Sequence, residues 1–255
     1  MKVNKDKCIG CGICVPYCPA FAISIANGKA YIDEELCFEC GNCARPRVVR
    51  CPTKAFEQSE GVAVMPRRIR SFFSNPTIAD AITKVPGRGT EESKTNDVTG
   101  KVTRGEFGIG IEMGRPCHGT TIHQVEKMTM ALAELNVEFE DCNPVYHLME
   151  DPKKGTFPEE IKDERMVSCI IEFAAKEEML EPVMNVIKRV ADELDTVFSL
   201  DFIYRFDEDG NIPIISKLNQ MGILVRKNAK VNLGMGRQRF DAFTSQERFG
   251  REPAK

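Results

Sequence analysis

Apolar and polar positions are distributed differently in the two parts of the chain. From Phe107 onward they follow regular periods. FGIGIEMG alternates and predicts a strand. After the loop RPCHGTT, a helix is predicted from Ile122 to Leu135, with Val125, Met128, Leu132 and Leu135 on one side. VEFEDCNPVYHLM and MVSCIIEFAA read as strands, the second apolar enough to lie centrally. MLEPVMNVIKRVADEL is helical, with Leu180, Val183, Met184, Ile187, Val190 and Leu194 in phase. VFSLDFIYRF predicts a last strand before the turn DEDGN. The predicted order is β-α-β-β-α-β, the split βαβ arrangement, so the expected class is α+β. Beyond it, ILVRKNAKVNLGMG suggests a hairpin turning at Asn228-Ala229, and the tail after Phe240 is polar.

Before Phe107 the periods give way to punctuation. VAVMPRRIRSFF is basic with apolar interruptions. Asn75-Pro76 introduces TIADAITKV, a helix expected to end at Pro86-Gly87, with Pro at its first position. Residues 87–105 are polar and rich in Gly and Thr, the composition of a linker. The expected divisions are therefore 1–60, a basic helical segment and linker over 61–105, a βαββαβ unit over 106–210, and a hairpin and tail over 211–255.

Composition changes the picture at the cysteines. The chain has 255 residues, 42% of them hydrophobic, and eleven cysteines. Eight of these lie between Cys8 and Cys51, while Cys117, Cys142 and Cys169 are scattered. With no apolar run near the ~18 residues of a bilayer span and no apolar leader in MKVNKDKCIG, the expected compartment is the cytoplasm. Clustered cysteines in a reducing compartment favour metal binding over disulfides. Residues 1–105 carry a net +5 and residues 106–255 a net −8, too diffuse a basic excess for a nucleic-acid surface.

The eight cysteines form a repeat. Cys8-x2-Cys11-x2-Cys14-x3-Cys18-Pro19 is followed by Cys37-x2-Cys40-x2-Cys43-x7-Cys51-Pro52, with CPAFAI matched by CPTKAF. Three cysteines at x2 intervals on a tight loop reach three corners of one cubane. Gly10, Gly12 and Gly41 let the backbone pass close to an inorganic core, with amides aimed at its sulfurs. Two zinc sites are the alternative, but zinc gives no reason for the third x2 cysteine or the Cys-Pro.

Over residues 2–58 the chain resembles the bacterial two-cluster ferredoxins, whose motif this is. The resemblance implies that Cys8, Cys11, Cys14 and Cys51 hold one [4Fe–4S] cluster, and that Cys37, Cys40, Cys43 and Cys18 hold the other. Cys11 and Cys40 are cysteine rather than aspartate, which favours four-iron over three-iron clusters. Ile9 and Phe38, each after the first cysteine of its run, and Tyr17 are expected to cover the clusters from water.

The second run departs from the first by four added residues in CARPRVVRCP. On the implied pairing Cys43 and Cys51 belong to different clusters, so the addition should extrude as a loop. Arg45, Arg47 and Arg50 would then raise the potential of a nearby cluster, or dock an acidic redox partner.

The βαββαβ unit resembles ACT-type and ferredoxin-like domains in topology, which leaves function open. Its turn Gly114–Thr121 joins a strand to a helix. Arg115, His118, Gly119, Thr120 and Thr121 there could take a small anionic ligand, with Cys117 in the lining. The same turn also reads as a capped βα connection with Thr121 as N-cap. Three functions follow: an electron-transfer subunit of a larger redox complex, a reductase acting on its own substrate, or a redox- and ligand-sensing regulator. For the second, GRGTEESKTNDVTG resembles the iron–sulfur reductases of anaerobic heterocycle degradation, without roles for single residues. The first is preferred, because no flavin, nicotinamide or hydrolase motif is visible.

Overall fold

The computed structural model describes residues 1–79, 102–115 and 118–225. The N-terminal region is built on two short antiparallel pairs. Strand β1 (Lys2–Val3) pairs with β4 (Phe56–Glu57), and β2 (Ile23–Ala26) with β3 (Lys29–Ile32). Asn27 and Gly28, at φ 50° and 68°, make the tight turn between β2 and β3, the Asn-Gly preference of two-residue hairpins. Little else here is regular, because the cysteine loops set the path.

Helix α1 (Arg68–Ser74) follows, then β5 (Glu106–Met113), β6 (Thr120–Thr121) and α2 (Ile122–Ala133). Next come β7 (Glu138–Phe139), β8 (Arg165–Met166), β9 (Cys169–Lys176), α3 (Leu180–Ala191), β10 (Phe198–Tyr204) and α4 (Pro213–Gln220). The main sheet has the order β10-β5-β9-β7 with every neighbouring pair antiparallel. Alternation in β5 places Phe107, Ile109, Ile111 and Met113 on one buried face. They share a core with Ile171 and Phe173 of β9 and with the apolar stripes of α2 and α3. Ile69 and Phe73, four apart on α1, join that core, so α1 packs with the sheet unit.

The sequence expectations need several adjustments. The strand expected in VEFEDCNPVYHLM is only Glu138–Phe139, because Asn143 and Pro144 divert the chain into a turn. At the start of MVSCIIEFAA, Met166 pairs with β6 together with the preceding Arg165, and the central strand starts at Cys169. Residues 213–220, placed in the C-terminal hairpin and tail, are helical, with Pro213 in the first turn and Ile214 and Leu218 buried. Thr77, Ile78 and Ala79 are not helical; the rest of the helix expected there, the linker to Lys101, Cys117 and the hairpin at Asn228-Ala229 lie outside the described residues.

Candidate metal centres

The cysteine repeat is also a backbone repeat. Gly10 and Gly12 have φ of 69° and 76°, and the matching Glu39 and Gly41 have 53° and 73°. After each Cys-Pro the second residue is again left-handed, Phe21 at 52° and Lys54 at 51°. That turn aims the next amide back at the cysteine. Ala22 N–H donates to Cys18 Sγ at 3.3 Å and Ala55 N–H to Cys51 Sγ at 3.4 Å. Ala30 N–H donates to Cys8 Sγ at 3.3 Å and Glu39 N–H to Cys37 Sγ at 3.4 Å. Gly10 also permits a close approach: a Cβ there would lie 2.2 Å from the Gly28 carbonyl oxygen.

Two cavities result, each lined by four cysteines. Cys8, Cys11, Cys14 and Cys51 line the first, which holds about 330 Å³ of empty space. Cys18, Cys37, Cys40 and Cys43 line the second, of about 350 Å³. The cysteine before proline thus crosses from its own run to the other site. Apolar side chains complete the walls, with Ile9, Ile13 and Val49 at the first and Ile23, Ile32 and Phe38 at the second. Four thiols, apolar walls and amides on the sulfurs fit the donor set of an iron–sulfur cluster.

The thiols differ in acidity. The Ala30 amide and Lys29 hold Cys8 below the usual thiol range. Burial pushes Cys51 upward, but bonds from the amides of Ala55, Thr53 and Lys54 and from the Thr53 hydroxyl outweigh it and leave it lowered. At the second site burial dominates. It pushes Cys37, with Glu39 beside it, up to about 11, and Cys43, with three other cysteines near, up to about 12. A bound cation reverses that cost, since a coordinated thiol is deprotonated outright.

Glu39 itself was not singled out by sequence reasoning. It occupies the left-handed position that Gly10 fills in the first loop, and it is 2% exposed. Its carboxylate pairs with the Met1 ammonium and accepts from Arg67 Nη2 at 2.7 Å and Nε at 3.1 Å. Burial raises its pKa, and those two cations lower it by more, so the group stays ionised. An acidic residue between two cysteines gives no sequence signal for such burial.

The second site backs onto the sheet unit. Phe38 is 6% exposed, and a Cβ on Gly119, at φ 81°, would meet its Cζ at 2.4 Å. Arg70, buried in α1, pairs with Glu164 through Nε, and its Nη1 donates to the carbonyls of Glu34 (2.9 Å), Glu35 (3.0 Å) and Cys37 (3.1 Å). Ser74 Oγ accepts from Val167 N–H at 2.9 Å. These contacts clamp the second cysteine loop to the sheet unit, whereas Ile9, the partner of Phe38 in the repeat, is 62% exposed. The expected cover over the first site is therefore open at Ile9, and Tyr17 is also exposed.

The Gly114–Thr121 turn is the other half of this joint. His118 and Gly119 amides donate to the Gly114 carbonyl, Ile122 N–H to Glu164 O and His123 N–H to Lys162 O. Thr121 Oγ1 accepts from Gln124 N–H at 3.3 Å, as an N-cap does. Arg115 lies 3.6 Å from Glu112 and 3.4 Å from Ser168 Oγ. Gly119 and Thr120 are buried and His118 is exposed. Of the donors expected to cradle an anion, the His118 and Gly119 amides and Arg115 bond within the chain, where Phe38 and β8 pack against the turn.

The arginines of CARPRVVRCP do not act alike. Arg45 turns inward, donating to Asn42 Oδ1 (3.1 Å), the Cys40 carbonyl (3.0 Å) and Asn75 Oδ1. Arg47 and Arg50 are exposed, and Val49 between them is buried in the first site's wall. Elsewhere Cys169 is buried in the sheet core, with its pKa raised by burial, and Cys142 lies in the turn after β7.

Paired four-thiol cavities on this repeat define an iron–sulfur protein. A family model described as a 4Fe-4S binding domain matches residues 1–24. Through its N-terminal segment the chain belongs to the 4Fe–4S ferredoxin family. It is 44% identical over 57 residues to an uncharacterized ferredoxin of Methanocaldococcus jannaschii, covering 21% of this chain and 69% of that one. It is 42% identical over 59 residues to the indolepyruvate oxidoreductase subunit IorA of Pyrococcus abyssi, covering 22% of this chain and 8% of that one. The pyruvate synthase subunit PorD of Methanothermobacter marburgensis is 38% identical over 55 residues, covering 22% of this chain and 59% of that one. The chain thus spans only a small part of the length of the larger relatives. No solved structure matches it. Among the described residues no helix is long and apolar enough to cross a membrane.

Proposed function

We propose that the chain binds two [4Fe–4S] clusters and serves as the ferredoxin-like subunit of a larger redox complex, passing single electrons between a donor and a catalytic subunit. Cys8, Cys11, Cys14 and Cys51 would hold the first, and Cys37, Cys40, Cys43 and Cys18 the second. The observation that carries this is the crossed lining of the two cavities, four thiols in each. When bound, such a cluster supplies reversible one-electron oxidation and reduction. The chain's own residues do the rest. Amides of Ala22, Ala30, Glu39 and Ala55 bond the thiolate sulfurs and favour the more negative, reduced state. The apolar walls limit water. Relatives named as subunits of an indolepyruvate oxidoreductase and of a pyruvate synthase support the place in a complex.

The sheet unit is best read as a βαββαβ domain of ACT-like topology, with the order β10-β5-β9-β7 supporting it. In this role it is the platform that fixes the second site. Anaerobic iron and sulfide analysis tests the assignment: about eight of each per chain is expected for two clusters of this type. Four of each, or a zinc-filled protein, refutes it. Purification from the native host should bring a second polypeptide with it, and the chain alone should show no turnover.

A further inference from the structure

The two sites share one repeat, yet among the described residues the sheet unit covers only the second. Around the first, Ile9, Ile13 and Ile25 are 62%, 42% and 39% exposed, and all three line its cavity. Cys11 between them is exposed as well. At the matching positions of the second run stand Phe38, 6% exposed against Gly119, and the polar Asn42. Three exposed isoleucines beside an exposed ligand form an apolar patch of the kind that marks an interaction surface.

The border of this patch is basic. Arg50 lies between the wall residues Val49 and Cys51, and Lys54 follows the wall residue Thr53; both are exposed, as is Arg47. Lys29 Nζ donates to the Cys8 carbonyl at 2.6 Å. Of the acids close in sequence to the first site, Glu57 is held by Lys7 and Asn4, and Asp6 is exposed. An apolar centre within a cationic border complements a protein whose own apolar contact is ringed by carboxylates.

We infer that the face formed by Ile9, Ile13 and Ile25 around the first cysteine site is the docking surface for an acidic one-electron carrier protein. Electrons enter or leave the chain there, while the second site faces inward to the sheet unit. The inference rests on the electron-transfer reading above and adds which site meets the outside partner. In it the isoleucines supply contact, and Arg47 and Arg50 steer the encounter.

The test uses the full chain with its clusters reconstituted. Anaerobic stopped-flow follows its reduction by flavodoxin hydroquinone, an acidic one-electron donor protein, and separately by reduced methyl viologen, which needs no docking. Ile9→Gln with Ile13→Gln should slow reduction by flavodoxin by about tenfold, the scale of losing a central apolar contact. Because both residues line the first site, each variant's flavodoxin rate is divided by its own viologen rate and read per iron bound, and the tenfold loss should remain in that ratio. Ile25→Gln, at the rim of the same cavity but next to no cysteine in the sequence, should give a smaller slowing and covers the case in which the double variant fails to load iron. Arg47→Gln with Arg50→Gln should slow the flavodoxin reaction at low salt, with the difference fading at high salt.

Three results overturn the inference: unchanged flavodoxin rates in the isoleucine variants that load iron, a wild-type protein reduced by viologen but not by flavodoxin, or slowing instead in Phe21→Gln, an 87% exposed apolar side chain between the second site's wall residues Ala20 and Ala22. A wild-type protein that carries iron but is reduced by neither donor refutes the electron-transfer reading itself, and the inference falls with it.

Discussion

Replacing Arg70 by Met tests whether the second cysteine loop is held by the sheet unit. The Arg70 side chain is 4% exposed and its partner Glu164 is 11% exposed, so water cannot replace the lost charge. Removing one partner of a buried pair costs ~3–5 kcal/mol, mostly through the charge left behind. The carbonyls of Glu34, Glu35 and Cys37 also lose a donor. Each such loss is worth ~1 kcal/mol, but neighbours sharing one group do not add, so ~4 kcal/mol is the expected total. With a urea slope of ~2 kcal/mol per molar, the midpoint should fall by ~2 M.

The assay is anaerobic urea unfolding of the iron-loaded chain, followed by visible iron–sulfur absorbance and by far-ultraviolet circular dichroism. Metal-bound proteins often depart from two-state behaviour, and here that departure is informative. In Arg70→Met the absorbance should be lost at lower urea than the helical signal, because the loop is released before the sheet core. Arg70→Lys keeps a charge for Glu164 but not the planar fork, so it should fall between Met and wild type. A midpoint shift below ~0.5 M in Arg70→Met, corresponding to ~1 kcal/mol, would falsify the clamp.

Gly10→Ala places a Cβ 2.2 Å from the Gly28 carbonyl at a φ of 69°, so iron content should drop to about half as the first site is lost; full loading would show that the loop can move aside. Glu39→Gln removes a negative charge beside the second site and should raise the potential of one redox transition only, read by titration under anaerobic conditions; equal shifts in both, or none, contradict the placement. Cys142→Ser and Cys169→Ser should leave the iron content unchanged, since neither lines a cysteine cavity. Thr121→Ala should cost about 1 kcal/mol in thermal or urea unfolding, the ordinary value of a lost N-cap.

The two four-cysteine cavities were legible because their spacing is local: x2 intervals constrain a short loop whatever the rest of the chain does. The sheet unit was legible where one face is buried, as in the alternation of β5 and the stripes of α2 and α3. The joint was not. Arg70 stands in a basic stretch that reads as surface, and its partner Glu164 lies 94 residues away. Glu39 reads as a solvated acid until Arg67 and the Met1 ammonium are seen around it. Helix α4 was missed because its two buried residues, Ile214 and Leu218, give too short a period beside the apolar-polar mixture that follows.

The four added residues of the second run make sense only against the asymmetry of the two sites. A loop that merely bulged outward would leave all its side chains in water, yet Val49 is 2% exposed and closes the first site's wall. Arg45 reaches the other way, to the Cys40 carbonyl of the second loop and to Asn75 after α1. The addition therefore bridges the two sites from within and presents only Arg47 and Arg50 outside. A similar divergence shaped the loops themselves. Where the second loop meets protein, the repeat carries Phe38 and Glu39, large or charged groups that the sheet unit and Arg67 satisfy. Where the first loop meets water, it carries Ile9 and Gly10, and no described residue covers Ile9. Packing against the sheet unit thus fixes one site and leaves the repeat on the other side with an apolar face, the arrangement that the proposed docking at the first site requires.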